Sequence, residues 1–210
     1  MSNINLYRHA LSGHAHRAEL LLSLLGLEAN LIEVDLMGGA HKQPSFLEKN
    51  RFGQVPVLQD GDVTVADSNA ILVYLATKYD PESIWLPTAA EDAAQVQRFL
   101  SVAAGPVASG PAAARLVNVF GADLDHQKAI DTSHALFEVL DKHLAGRAWL
   151  ATDHVTIADV ANYAYIAHAP EGGVGLSNYP NIRAWLSRVE ALPGFVAMQP
   201  TAAGLNQHVA

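Results

Sequence analysis

Asn50-Arg51-Phe52-Gly53-Gln54-Val55-Pro56-Val57-Leu58, followed after a short return by Ala66-Asp67-Ser68-Asn69-Ala70-Ile71, decides how the first half of this chain folds. Pro56 leads straight into an apolar run, although a proline cannot donate to a strand ladder and belongs at a strand's first residue or on an edge. The run turns at Asp60-Gly61, a pair that favours a two-residue type I′ hairpin loop. The return strand, Val63-Thr64-Val65, ends at Asp67-Ser68, which opens an amphipathic helix. A serine there is an N-cap candidate contributing roughly 1 kcal/mol. The same helix start also presents free N–H groups and a positive dipole end to an anion.

Outward from that stretch the pattern is a succession of short units. Ile4-Asn5-Leu6-Tyr7 alternates as a first strand. Ala15 to Leu25 places Ala15, Ala18, Leu21, Leu22 and Leu25 on one helical face, with Gly26 positioned as its C-cap. Ile32, Val34 and Leu36 then alternate with Glu33 and Asp35 as a second strand. Strand, helix, strand at this spacing calls for a parallel βαβ unit. The hairpin and a helix over Ser68–Tyr79 add ββα, so residues 1–80 read as an α/β thioredoxin-like N-terminal domain. Two prolines within Asp80–Pro87 mark a linker, 81–88. From 89 to 210 the periodicity is helical, near 89–104, 111–121, 125–145, 156–169 and 179–191, which gives an all-α C-terminal domain. Gly105-Pro106 and Gly110-Pro111 are expected to break the first of these runs.

The 210 residues, 50% hydrophobic and 16% charged, suffice for one or two ordinary cores. No apolar run reaches the roughly 18–20 residues of a membrane span. Met1-Ser2-Asn3-Ile4-Asn5 has no basic region ahead of an apolar core, so a signal peptide is not expected and a soluble cytoplasmic protein is. With no cysteine, disulfides, thiolate metal sites and a cysteine nucleophile are excluded. A net charge of −8 argues against a nucleic-acid footprint. Only His41 to Arg51 runs locally basic, through Lys42, Lys49 and Arg51 against Glu48, which suits either a solvated loop or a small anionic ligand.

Gln54-Val55-Pro56, the Asp67-Ser68 helix start and the Ser12-x-x-x-x-Arg17 loop together resemble a cytosolic glutathione S-transferase of the serine type, in a theta-, phi- or nu-like bacterial pattern. The resemblance runs from Leu6-Tyr7 to Tyr179-Pro180-Asn181-Ile182-Arg183-Ala184-Trp185. It implies glutathione as co-substrate, with a cis bond before Pro56 and the main chain of Val55 pairing with the cysteinyl backbone. It assigns Ser68 and nearby amides to the γ-glutamyl carboxylate and Asp67 to the γ-glutamyl ammonium, although many relatives have Glu at that place. The glycyl carboxylate falls to His41, with Lys42 as the alternative and Gln54 assisting. Arg51 stands where the family usually has proline.

The thiol must ionise to attack. Lowering a free thiol from a pKa of about 8.5 by about two units takes roughly 2.7 kcal/mol, within reach of one or two charge-assisted hydrogen bonds at a helix N-terminus. The resemblance gives this to the Ser12 hydroxyl, assisted by the Gly13 and His14 amides, with Tyr7 as the rival; inside its strand, Tyr7 reads as a packing residue. His9, His14 and His16 match no zinc spacing, so no metal is expected, and no Gly-x-Ser-x-Gly elbow surrounds Ser12. A second-substrate pocket is expected between Leu11 and helices near 100–120. Arg115 would meet a polar acceptor there or form a surface salt bridge. Thr156 with Asp159 reads as a structural capping box. The expectation is a homodimeric detoxification enzyme that adds glutathione to a small hydrophobic electrophile. A glutathione-dependent peroxidase, disulfide-bond reductase, isomerase or ether-cleaving lyase, or a non-catalytic glutathione-binding module, are the alternatives. The missing cysteine disfavours the omega- and beta-like thiol chemistries.

Overall fold

Leu6 and Leu58, both fully buried, sit opposite one another at the centre of a four-stranded sheet. The structure, a computed structural model, describes residues 4–203; Met1–Asn3, part of the segment read for a leader, lie outside them. The first half runs β1 (Ile4–Arg8), α1 (Gly13–Leu24), β2 (Asn30–Glu33), a 3-10 turn at Ala40–Lys42, α2 (Pro44–Leu47), β3 (Val57–Asp60), β4 (Val63–Ala66) and α3 (Ser68–Tyr79). Strand order is β2-β1-β3-β4, with β1–β2 parallel and the other pairs antiparallel.

Two local details differ from the sequence reading. β2 ends at Glu33 instead of continuing to Leu36, although the Val34 amide still reaches the Arg8 carbonyl. Asp35 then accepts from the Gly38 amide at 2.7 Å, and that side-chain turn draws the chain off β1. In the hairpin, Asp60 pairs with Val63, so the loop is Gly61-Asp62. Of these only Gly61 has positive φ, at 59°, which matches a type II′ turn where the expected I′ needs two such residues. Asp60 is kept in the strand by α3: its carboxylate accepts from Tyr74 (2.8 Å), Lys78 (2.6 Å) and Tyr79 (2.6 Å).

The second half comprises α4 (Ala90–Ala104), a π-helical turn at Ala108–Ala112, α5 (Ala113–Phe120), α6 (His126–Leu144), α7 (Ile157–Ala167), a 3-10 turn at Ala169–Gly172 and α8 (Pro180–Glu190). Gly105 interrupts the first run as expected, but Gly110-Pro111 does not break it. Pro111 has no N–H to donate, and its ring would press on the carbonyl four residues back; one wide turn absorbs both defects.

The larger of two apolar clusters joins the halves: Leu20 and Leu21 of α1 and Ile71 and Leu72 of α3 pack with Phe99, Ile166 and Trp185, while Val34, Phe46 and Val57 form a small cluster apart from it. Helix α7 is the central post, and its start is fixed by the Thr156–Asp159 box. Asp159 is fully buried and accepts from the amides of Thr156 (3.0 Å) and Leu150 (3.0 Å) and from the Trp185 indole (2.8 Å). Burial pushes its carboxyl up despite these donors.

Candidate active site

Between the halves lies a cleft of about 910 Å³, and every residue assigned to the site from the sequence, though not the rival Tyr7, lines it. Its inner end is the start of α1. Ser12 is the N-cap there, its Oγ accepting from the Ala15 amide at 3.2 Å. That bond uses a lone pair and leaves the hydroxyl proton free to donate. Gly13 follows because nothing larger fits: a Cβ would fall 2.8 Å from carbons of the Tyr165 ring. The Gly13 and His14 amides, expected to assist at a bound sulfur, begin the helix beside Tyr165, whose hydroxyl they pull toward the ionised form. Burial pushes that hydroxyl's pKa up, so it remains a neutral phenol. Tyr7, the rival, is turned the other way, donating to Gln59 Oε1 at 2.7 Å and meeting Phe46 edge-on.

Beneath this terminus Arg17, 1% exposed, holds the two helix starts together. Its Nη1 donates to His14 Nδ1 at 2.9 Å and to Ser68 Oγ at 3.1 Å. Burial lowers its pKa only to about 10, so it stays cationic, and it lies over the Tyr165 ring. Burial, and then the Arg17 charge, push His14 down to about 3.

On the opposite rim the Val55-Pro56 bond is cis. Among the described residues, neither the N–H nor the C=O of Val55 takes a backbone hydrogen bond. At α3 the serine-cap reading needs correcting. Asp67 is the cap, with φ at 79° and Oδ1 accepting from the Asn69 (2.9 Å) and Ala70 (3.0 Å) amides. Ser68 is instead the first helical residue, buried, its hydroxyl turned to Arg17 and His14. The backbone conformation of Asp67 is uncommon for a non-glycine residue, and it leaves the side chain exposed beside the cleft.

The basic side is built by loops. Lys42 Nζ donates to the carbonyls of Phe52 (3.3 Å) and Gly53 (3.0 Å), so its charge is spent on holding that loop. His41 lies on the 3-10 turn beside it, its Nδ1 buried with no partner among the described residues. Asn50 closes the loop around Arg51, donating to the Gln54 carbonyl (2.9 Å) and accepting from the Phe52 amide (3.1 Å). A side-chain clamp thus fixes this loop where the family pattern has proline.

The outer wall is apolar: Leu11 faces Ala108, Ala112, Leu116 and Phe120, the two alanines on the π-turn. Arg115 is not on the surface. It is 1% exposed, its Nε bonded to Glu171 at 2.5 Å and its Nη1 to the Leu11 carbonyl at 2.8 Å. Burial opposes the ionisation of Glu171, but the Thr201 amide and Arg115 outweigh it and hold the carboxyl below its ordinary range. The sequence reading missed this clamp, and also Tyr165, Phe120 and the inward role of Arg17. The one signal was Gly13 beside Ser12, which marks a close approach without saying by what. His9, His14 and His16 meet Phe120, Arg17 and the Val196 carbonyl respectively, and so do not converge. Among the described residues no group of His, Cys, Asp and Glu is placed to hold a metal ion.

A model of the glutathione S-transferase N-terminal domain matches residues 2–77, and a model of the C-terminal domain matches 114–193. This chain belongs to the glutathione S-transferase family. The transferase is 36% identical to glutathione S-transferase 3 of Zea mays, over 93% of this chain and 92% of that protein. A glutathione S-transferase structure from Pseudomonas fluorescens superposes with a TM-score of 0.89 at 32% identity, covering 95% of this chain and 100% of the other. A glutathione transferase homolog from Drosophila mojavensis with bound glutathione gives 0.82 at 28% identity, over 92% and 90%. The family and the two-part fold are those the motifs announced. Among the described residues of this transferase, no helix is long and apolar enough to cross a membrane.

Proposed function

We propose that this transferase binds glutathione along the rim from His41 to Ser68 and activates its thiol at Ser12 for attack on a hydrophobic electrophile. The observation that carries the reading is the Ser12 hydroxyl. It caps α1 through its oxygen, keeps its proton available, and lines the same cleft as the open main chain of Val55 and an apolar wall. Val55, after which the cis bond to Pro56 turns the chain, pairs with the cysteinyl backbone. Ser68 at the start of α3 takes the γ-glutamyl carboxylate, the Asn69 and Ala70 amides being held by Asp67, and the exposed Asp67 takes the ammonium. His41 and Gln54 hold the glycyl carboxylate on the basic side, with Lys42 ordering the loop beneath. The Ser12 hydroxyl donates to the sulfur, which shifts the thiol toward thiolate without the serine losing its proton. Leu11, Leu116 and Phe120 exclude water and hold the electrophile beside it, so positioning and thiolate stabilisation supply the rate. Residues 1–80 form the glutathione-binding unit, 81–88 the linker and 89–210 the helical unit in this reading. A cytoplasmic homodimer with a detoxifying role belongs to it through the family resemblance.

Turnover of an aryl halide, an organic peroxide and a mixed disulfide by the purified protein with glutathione is the direct test. Conjugation of the halide, reduced at least tenfold in Ser12→Ala with glutathione affinity within a few-fold, is expected; unchanged kinetics in that variant remove Ser12 from the role. Turnover of the peroxide alone moves the assignment to a peroxidase. Retention on immobilised glutathione without any turnover makes the chain a binding module.

A further inference from the structure

His14 enters the cleft between Ser12 and Tyr165, and nothing above gives it a task. Its Nδ1 lies 2.9 Å from Arg17 Nη1 and 3.3 Å from Ser68 Oγ. A guanidinium nitrogen only donates. Two N–H groups at 2.9 Å would set hydrogens face to face, so Nδ1 must present its lone pair to Arg17. A neutral imidazole whose Nδ1 accepts carries its proton on Nε2. Arg17, itself 1% exposed, is fixed by Ser68, the Ala103 carbonyl and the Tyr165 face, so the tautomer is imposed from below. The Nε2–H has no partner among the described residues, because both hydrogen bonds of the ring are made at Nδ1.

Gly13, the first helical residue of α1, lies against the Tyr165 ring, as does the His14 ring. We propose that His14 is a second donor to the glutathione sulfur, its Nε2–H aimed into the cleft by the Arg17 contact at Nδ1, and that Arg17 is the positioning residue that fixes this tautomer. The inference rests on the transferase reading above and deepens it. The proton stays on the imidazole throughout: His14 stabilises the thiolate by a hydrogen bond and does not take the thiol's proton, since its only free ring nitrogen already carries one. Reading the site as Ser12 alone leaves this donor unused. The pairing also explains why an arginine is buried under a site that receives an anion: its field favours thiolate, and its geometry orients the ring.

Two measurements test this. In protein labelled with nitrogen-15 histidine and free of glutathione, two-bond proton–nitrogen correlations should show His14 with a bare Nδ1 and a protonated Nε2 at neutral pH. The signal is assigned by its loss in His14→Asn. A ring protonated at Nδ1, or charged, overturns the proposal. Second, the thiolate absorbance of bound glutathione is titrated in the native protein, His14→Phe, His14→Asn and Tyr165→Phe. His14→Phe should raise the apparent thiol pKa by about one unit, the scale of one charge-assisted hydrogen bond, with glutathione affinity within a few-fold. His14→Asn, which keeps an N–H donor, should lose less. A titration unmoved by His14→Phe, or moved only by Tyr165→Phe, overturns it while leaving the transferase reading intact. If the native protein shows no depression of the thiol pKa, the transferase reading falls and takes this proposal with it.

Discussion

A methyl group on residue 13 would sit 2.8 Å from Tyr165 ring carbons, and that ring is itself stacked on a buried arginine. Gly13→Ala is therefore expected to cost about 1–3 kcal/mol and to lower turnover by displacing the start of α1. Adding Tyr165→Leu, which removes the ring, should recover most of the stability in thermal melts; failure to recover would mean the strain lies elsewhere. At Asp67 and Ser68 the expected loss is of binding. Asp67→Ala with Ser68→Ala should cripple glutathione affinity in a calorimetric titration, beyond the roughly 1 kcal/mol of stability lost with the cap. A normal dissociation constant there rules out both assignments. The placing of these residues at the cleft was legible because its signals are local: a serine at a helix start, a proline before a strand, an acid before a serine. Arg115 was not legible. Its carboxylate partner lies 56 positions away on a turn with no distinctive pattern, so its burial depends on how α5 meets that turn.

Among the elements, α7 carries the clearest expectation. Thr156→Ala should lower unfolding free energy by about 1 kcal/mol, as loss of a cap does. Asp159→Ala should cost more, about 3 kcal/mol, because the Leu150 amide and the Trp185 indole are left buried without acceptors. Denaturant unfolding measures both, and the Michaelis constant for glutathione should not move in the folded fraction; a catalytic defect in a stable variant would contradict the structural role. The helix itself was readable because box and periodicity agree. The hairpin was readable in kind but slipped by one residue, since the grip of Tyr74, Lys78 and Tyr79 on Asp60 is tertiary. The π-turn was read as a break for a related reason: proline forbids the regular hydrogen bond, but only packing decides between stopping and widening.

For the whole molecule, buried neutral histidines set the acid limit. Unfolded, they take up protons near pH 6.5; folded, burial holds His14 neutral to about 3 and His168 to about 4, and lowers His16 as well. Between these values the unfolded chain binds more protons, so stability falls as pH falls, by about 1.4 kcal/mol per pH unit for each histidine. Asp159, pushed up by burial, opposes this with a single proton. Denaturant midpoints should therefore drop steadily from pH 7 to 5, and a flat profile would show that these rings are charged in the fold. The tie from Arg115 to the Leu11 carbonyl bears on how such proteins diversify. Exchanging the helical half for that of a relative imports a new pocket and, at the same stroke, a new tether for the loop that presents Ser12. Chimaeras in which an arginine recurs at this spot should keep the Ser12 loop where it stands here; those without it are expected to lose that anchor along with the old pocket.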